Sequence, residues 1–117
     1  MALAPEPPPV APVAAPVAPT PLDRVAFCES GNRQFGPDGQ PLRGAVNPDD
    51  VGKYQINEDY HLEAAVRLGL DLNTLEGNEA YARHLYASQG LSPWLWSRPC
   101  WGDETRVWVY RDGAWWS

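Results

Sequence analysis

One carboxylate in this chain of 117 residues stands out by its neighbours. Glu29 lies in Phe27-Cys28-Glu29-Ser30-Gly31-Asn32, beside one of only two cysteines and two residues before a glycine. Leu22, Val25 and Ala26 fall at i, i+3 and i+4 of a helical pattern, and Glu29 follows at i+7 on the same stripe, so its side chain faces the apolar side. Gly31 can take the left-handed conformation that ends a helix, which leaves Glu29 in the final turn, where the negative end of the dipole opposes ionisation. Both effects predict a raised pKa. A carboxyl kept protonated near neutral pH can donate to a glycosidic oxygen, the requirement for a general acid in glycoside cleavage. The same pattern also suits an amphipathic helix with one partly exposed Glu in its last turn, and the pattern alone does not separate the two.

A retaining or inverting hydrolase needs a second carboxylate, about 5 to 9.5 Å from the first. Asp38, Asp49 and Asp50 are the candidates, but all three lie in turn-rich sequence where acidic residues commonly close Asx turns or cap helices. The turn-forming role is preferred, which leaves a single-carboxylate route. Cys28 and Cys100 admit three readings: a metal pair, two buried free thiols, or a disulfide. His61 and His84 complete no recognisable ligand spacing, and no Cys-x-x-Cys occurs. A disulfide fits better than free thiols in an oxidising compartment, where closing a loop of roughly 70 residues contributes about 4 kcal/mol. It would clamp the aromatic segment 93–101 beside the end of the first helix.

The elements that must position these residues follow from local signals. Thr20-Pro21 is a helix start, with the hydroxyl at N-cap, Pro at N1 and Asp23 in the first turn, and the helix runs to about Ser30. Residues 32–50 are dense in Gly, Pro, Asn and Asp, and Pro37-Asp38-Gly39 predicts a small irregular hairpin between runs at 33–35 and 41–43. A helical turn is expected over 51–57, then a helix from about Tyr60 to Leu68 closed by Gly69. A longer helix is expected from Asn73 or Thr74 to Gln89, with Asn73 and Glu76 as a capping box and Leu75, Asn78, Ala82, Leu85 and Gln89 on one face. The C-terminal stretch holds all six tryptophans, and Asp112-Gly113 between Val107–Tyr110 and Ala114–Trp116 predicts a type I′ hairpin. The fold class is therefore α+β, mainly α, with one small irregular hairpin and a second at the C-terminus.

Residues 1–20 are nearly all Ala, Pro and Val, with no periodicity that would bury a face, and they are expected to form a disordered, extended linker. The domain proper is placed at 21–101 and an aromatic tail at 102–117. A net charge of −6 and a pI near 4.7 exclude charge-driven binding of nucleic acid or anionic lipid. No apolar run approaches a membrane span, and Met1-Ala2-Leu3-Ala4-Pro5 lacks the features of a secretory signal.

Three pieces in order, Phe27-Cys28-Glu29-Ser30-Gly31, Val51-Gly52-Lys53-Tyr54-Gln55-Ile56-Asn57, and Gly77-Asn78-Glu79-Ala80-Tyr81-Ala82 with Leu85-Tyr86, resemble the motif series of the lysozyme-like superfamily. They are most similar to small bacterial lytic transglycosylase domains. Ser92-Pro93-Trp94 with Pro99-Cys100-Trp101 is also similar to the ending of resuscitation-promoting-factor catalytic domains. The resemblance spans residues 22–101. It implies a lysozyme-like helical domain in which Glu29 is the catalytic acid and Ser30 helps orient the site. Tyr54, Gln55 and Asn57 would line a sugar groove with Trp94, Asn78 would pack beneath it, and Tyr81 and Tyr86 would supply hydroxyls. Trp94, Trp96 and Trp101 are otherwise read as core filling over the bridge, and Trp108, Trp115 and Trp116 as a hydrophobic closure in preference to a glycan platform.

The activity so implied is cleavage of the β-1,4 bond between N-acetylmuramic acid and N-acetylglucosamine in peptidoglycan, by a monomer that needs no metal or organic cofactor. The location would be extracellular, periplasmic or wall-associated, and the partner a glycan strand. Two other classes compete, a non-catalytic glycan-binding module that has kept the groove and a plain interaction domain on a Pro-rich stalk. The chain departs from many lytic transglycosylases in one respect: their Ala-Tyr-Asn-like motif is absent, with Ser92-Pro93-Trp94 roughly in its place. What supports Glu29 from that side is left open.

Overall fold

The computed structural model describes residues 4–8 and 16–117. Within the Ala/Pro stretch, residues 4–8 and 16–20 carry no helix or strand, and the rest of the expected linker, 1–3 and 9–15, lies outside the described residues. From Pro21 onward the chain forms an α+β domain, mainly α, with four helices and two small antiparallel hairpins.

Helix α1, Pro21–Ser30, starts where its local chemistry dictates. The Thr20 hydroxyl accepts the Asp23 N–H at 3.1 Å and the Asp23 carboxylate accepts the Thr20 N–H at 2.8 Å, a reciprocal box that satisfies two orphan donors. Gly31 at φ 63° ends it, with its N–H on the Phe27 carbonyl at 2.8 Å. Val25 and Ala26 enter the core, while Glu29 stays half-buried one residue before buried Ser30.

Residues 33–43 make the expected turn, closed by the Gln40 N–H on Asp38 Oδ1 at 3.0 Å, but no strands extend from it. Only the isolated bridges Phe35 with Pro41 and Arg43 with Val51 form, because Pro41 has no N–H to continue a ladder. The expected helical turn over 51–57 is instead a hairpin. Strand β1, Asp50–Val51, pairs antiparallel with β2, Ile56–Asn57. Gly52 at φ 77° and Gln55 at φ 48° are left-handed, which breaks a helix, and Val51 and Ile56 turn into the core.

Helix α2, Glu58–Arg67, begins two residues earlier than expected because the Asn57 side chain caps it, accepting the Asp59 N–H at 3.0 Å. Helix α3, Leu75–Gln89, is capped by Thr74, not Asn73, through the Gly77 N–H at 3.0 Å. The Asn73 N–H is already committed to Asp71 Oδ1 at 2.9 Å. Asn78, Ala82 and Leu85 are buried along α3, whereas Leu75 and Gln89 at its ends are exposed. A 3₁₀ segment, Ser92–Ser97, leads into the single turn α4, Arg98–Trp101.

The core joins α1, the β1–β2 hairpin, α2, α3 and Trp94. Cys28 of α1 is disulfide-bonded to Cys100 of α4, with Cα atoms 5.9 Å apart. The tail hairpin, β3 Val109–Arg111 and β4 Ala114–Trp116, turns through Asp112 and Gly113 at φ 53° and 76°. It folds back on α1: Trp115 is buried, Asn32 Nδ2 donates to the Trp115 carbonyl at 2.9 Å, and the Phe27 ring meets Trp108 and Trp116 edge-on at 5.3 and 6.4 Å. Among the described residues no helix is long and apolar enough to cross a membrane.

Candidate functional site

Glu29 opens into a cleft of about 790 Å³. Six pieces of chain build it: the end of α1, residues 44–47, the hairpin residues Asp50, Gln55 and Asn57, the first turn of α2 with Tyr60 and His61, Gln89 at the end of α3, and the 3₁₀ segment with Pro93, Trp94, Trp96 and Ser97. The lining includes no Lys or Arg, so no cation within the cleft offsets its two carboxylates.

Burial pushes the Glu29 carboxyl above its ordinary value, and the negative charge of Asp50 pushes it further. A hydrogen bond from Ser97 partly counters both. Ser97 Oγ lies 2.7 Å from Glu29 Oε1 and 3.1 Å from the Trp94 carbonyl. A hydroxyl has one proton, so it donates to one of these acceptors at a time. With one carboxyl oxygen engaged by Ser97, a proton on the other is available to a molecule in the cleft. Sequence reasoning did not single out Ser97 as the partner of Glu29.

Asp50 was expected to serve as a turn former along with Asp38 and Asp49, and the structure divides them. Asp38 does close an Asx turn. Asp50 sits on β1 in the cleft, its Oδ1 accepting Asn57 Nδ2 at 3.0 Å. Asn57 thus caps α2 with one end of its amide and orients Asp50 with the other.

Of the residues assigned to a groove, Gln55, Asn57 and Trp94 line the cleft with Glu29. Gln55 Nε2 donates to the Gly52 carbonyl at 2.9 Å, holding the amide over the hairpin turn. Ser30, Tyr54, Asn78 and Tyr81 do not line it; all four are buried. Ser30 Oγ donates to the Lys53 carbonyl at 2.6 Å, tying α1 to the hairpin. Asn78, fully buried, accepts the Tyr54 N–H at 3.0 Å and donates to the Val51 and Leu72 carbonyls at 2.9 and 3.0 Å. Gln34 completes this support by accepting the Lys53 N–H at 2.9 Å. A Cβ at Gly52 would collide with Asn78 Nδ2 and Gln34 Oε1, so the turn requires glycine for space as well as for its φ.

No family model, curated protein or solved structure matches the chain. The site is therefore read from its own geometry.

Tyr54 is core, its hydroxyl pushed up chiefly by burial, and its carbonyl accepts Trp94 Nε1 at 2.9 Å. Tyr81 is buried with its hydroxyl 3.0 Å from His61 Nδ1, so it reaches the cleft only through that imidazole. Burial holds the imidazole below its ordinary value, toward the neutral form. Tyr86 stands on the exposed side of α3 and does not line the cleft. Trp96 departs furthest from expectation. It does not fill the core but is 99% exposed at the cleft. Among the described residues no group of three or more His, Cys, Asp or Glu side chains is disposed to hold a metal ion.

Proposed function

We propose that the chain cleaves peptidoglycan glycan strands, as a lytic transglycosylase or lysozyme, with Glu29 as general acid and then base. The observation that carries this reading is the half-buried Glu29 carboxyl, its pKa raised by burial and by Asp50, hydrogen-bonded by Ser97 and open to a cleft of about 790 Å³. Protonated Glu29 donates to the glycosidic oxygen between N-acetylmuramic acid and N-acetylglucosamine as the bond from that oxygen to the anomeric carbon breaks. The muramic acid's own groups, with the negative charge of Asp50 in the same cleft, stabilise the oxocarbenium-like centre. Ionised Glu29 then takes the proton of the C6 hydroxyl, whose oxygen closes on the anomeric carbon. The product is a 1,6-anhydro sugar, no water is consumed, and Glu29 is restored.

The position of Asp50 favours a second reading in which water enters and the product carries a reducing end. The two differ by one water in product mass. Digestion of purified peptidoglycan by the native chain and by Glu29→Gln, with mass analysis of the released fragments, tests both. Loss of cleavage with retained binding in the variant supports the proposal. Native-rate digestion by Glu29→Gln refutes it, and binding without cleavage by the native chain makes the domain a glycan-binding module.

A further inference from the structure

We infer that Trp96 is a sugar-stacking platform at the mouth of the cleft, taking an uncharged N-acetylated pyranose of the same glycan chain whose linkage reaches Glu29. The inference rests on the proposed glycan reading of the cleft and specifies how the chain is gripped. The 92–97 segment kinks at Trp94, whose φ of −114° and ψ of 26° leave helical geometry. The contacts on either side of the kink show which way the side chains go: Trp94 is 3% exposed with its indole N–H bonded to the Tyr54 carbonyl, and Ser97 reaches Glu29. Trp96 between them is thrown outward. Its ring packs on nothing that its exposure of 99% would allow, so it adds little to the stability of the fold.

What lines the cleft together with Trp96 selects the ligand. Tyr60, 83% exposed on the first turn of α2, lines the same cleft, and Asn47, Gln55 and Asn57 add amide groups. Rings beside amides suit a pyranose, which has apolar C–H faces and a polar edge of hydroxyl and acetamido groups. The lack of Lys and Arg in the lining, with Glu29 and Asp50 present, disfavours an anionic ligand. Because Ser97 follows Trp96 directly, a sugar stacked on the ring lies one residue from the hydroxyl that holds the acid.

The test uses a β-1,4-linked N-acetylglucosamine tetramer as the probe and Glu29→Gln as the background, so that binding is read without turnover. In a titration of the indole N–H resonances, the Trp96 signal shifts and that of Trp115, buried against α1, does not. Trp96→Ala weakens binding about tenfold, and Trp96→Phe, which keeps a ring, recovers part of the loss. Thermal melting of Trp96→Ala matches that of its parent, since no packing is removed. On soluble peptidoglycan fragments with Glu29 intact, Trp96→Ala lowers kcat/KM chiefly through KM. An unmoved Trp96 resonance, equal affinity in Trp96→Ala, or a concentration-dependent dimer that Trp96→Ala abolishes would overturn the inference, the last by assigning the ring to a second copy of the chain. Failure of Glu29→Gln to stop digestion would strike the catalytic reading alone, because the tetramer titration measures the ring independently of cleavage.

Discussion

Replacing Ser97 by Ala tests the acid-base reading at the smallest possible scale, since it deletes one oxygen. On the proposed mechanism Ser97 faces a protonated carboxyl through Oε1 at 2.7 Å before the step, and as the proton passes to the leaving oxygen the same contact becomes a bond to a carboxylate. A neutral hydrogen bond contributes about 0.5–1.5 kcal/mol net and one to a charged group about 1.5–3. The bond therefore strengthens by about 1–1.5 kcal/mol during proton transfer, and its loss should slow kcat about five- to tenfold. The pH profile carries the signature that a packing defect would lack. Ser97 draws the Glu29 pKa down, so Ser97→Ala raises it and moves the alkaline limb of kcat/KM, where the acid ionises, to higher pH. Asp50 acts in the opposite sense, and Asp50→Asn should move the same limb to lower pH. Ser97→Thr keeps the hydroxyl and should restore both rate and limb. Initial rates on solubilised peptidoglycan across pH 4 to 9 would measure all three. An unchanged rate and limb in Ser97→Ala, or a limb that moves down, would refute the reasoning.

Further outcomes follow from the supports around the site. The folded Glu29 pKa lies above the ordinary value of 4.5, so the stability this group contributes is fully present below that value and is lost as pH rises through the folded pKa. Glu29→Gln should therefore melt close to the native chain in acid and above it at pH 8, as calorimetry across that range would show. Asn78→Ala leaves the Tyr54 N–H and the Val51 carbonyl without their buried partner and should cost about 3 kcal/mol in urea unfolding, with activity falling as the hairpin that carries Asp50 and Gln55 loosens. Cleaving the Cys28–Cys100 bond opens a loop of 72 residues and should cost about 4 kcal/mol in the same assay, and alkylation should modify no thiol before reduction and two after it.

The parts of the fold that were legible in the sequence are those whose causes lie within a few residues. The α1 cap rests on Thr20 and Asp23, its end on Gly31, and the tail turn on Asp112-Gly113, all of them local. The hairpin at 50–57 was misread because its conformation is fixed from a distance: Asn78 holds the Tyr54 N–H across 24 residues and Gln34 holds that of Lys53 across 19. Ser97 was missed for the same reason, since 68 residues separate it from Glu29. One signal was nonetheless present. Ser97 stands three residues before Cys100, so a bridge from Cys100 to Cys28 brings it near Glu29, the residue after Cys28.

The position of Ser97 links the disulfide to the proposed chemistry. The 3₁₀ segment runs directly into α4, and α4 is held to α1 by Cys100 on Cys28, the residue before Glu29. The bond and the Ser97 contact thus join the same two pieces of chain, one covalently and one through the carboxyl that titrates. Holding a single hydroxyl within 2.7 Å of one carboxyl oxygen requires that these pieces not slide, because a charge-assisted hydrogen bond weakens steeply with distance and angle. The small core alone would leave that separation to the 3₁₀ turn, one of the poorer hydrogen-bonded elements of the fold. On this account the cysteine pair sets the acid's support as well as the domain's stability. Reduction under conditions where the chain stays folded should then shift the alkaline limb of the pH profile in the direction expected for Ser97→Ala.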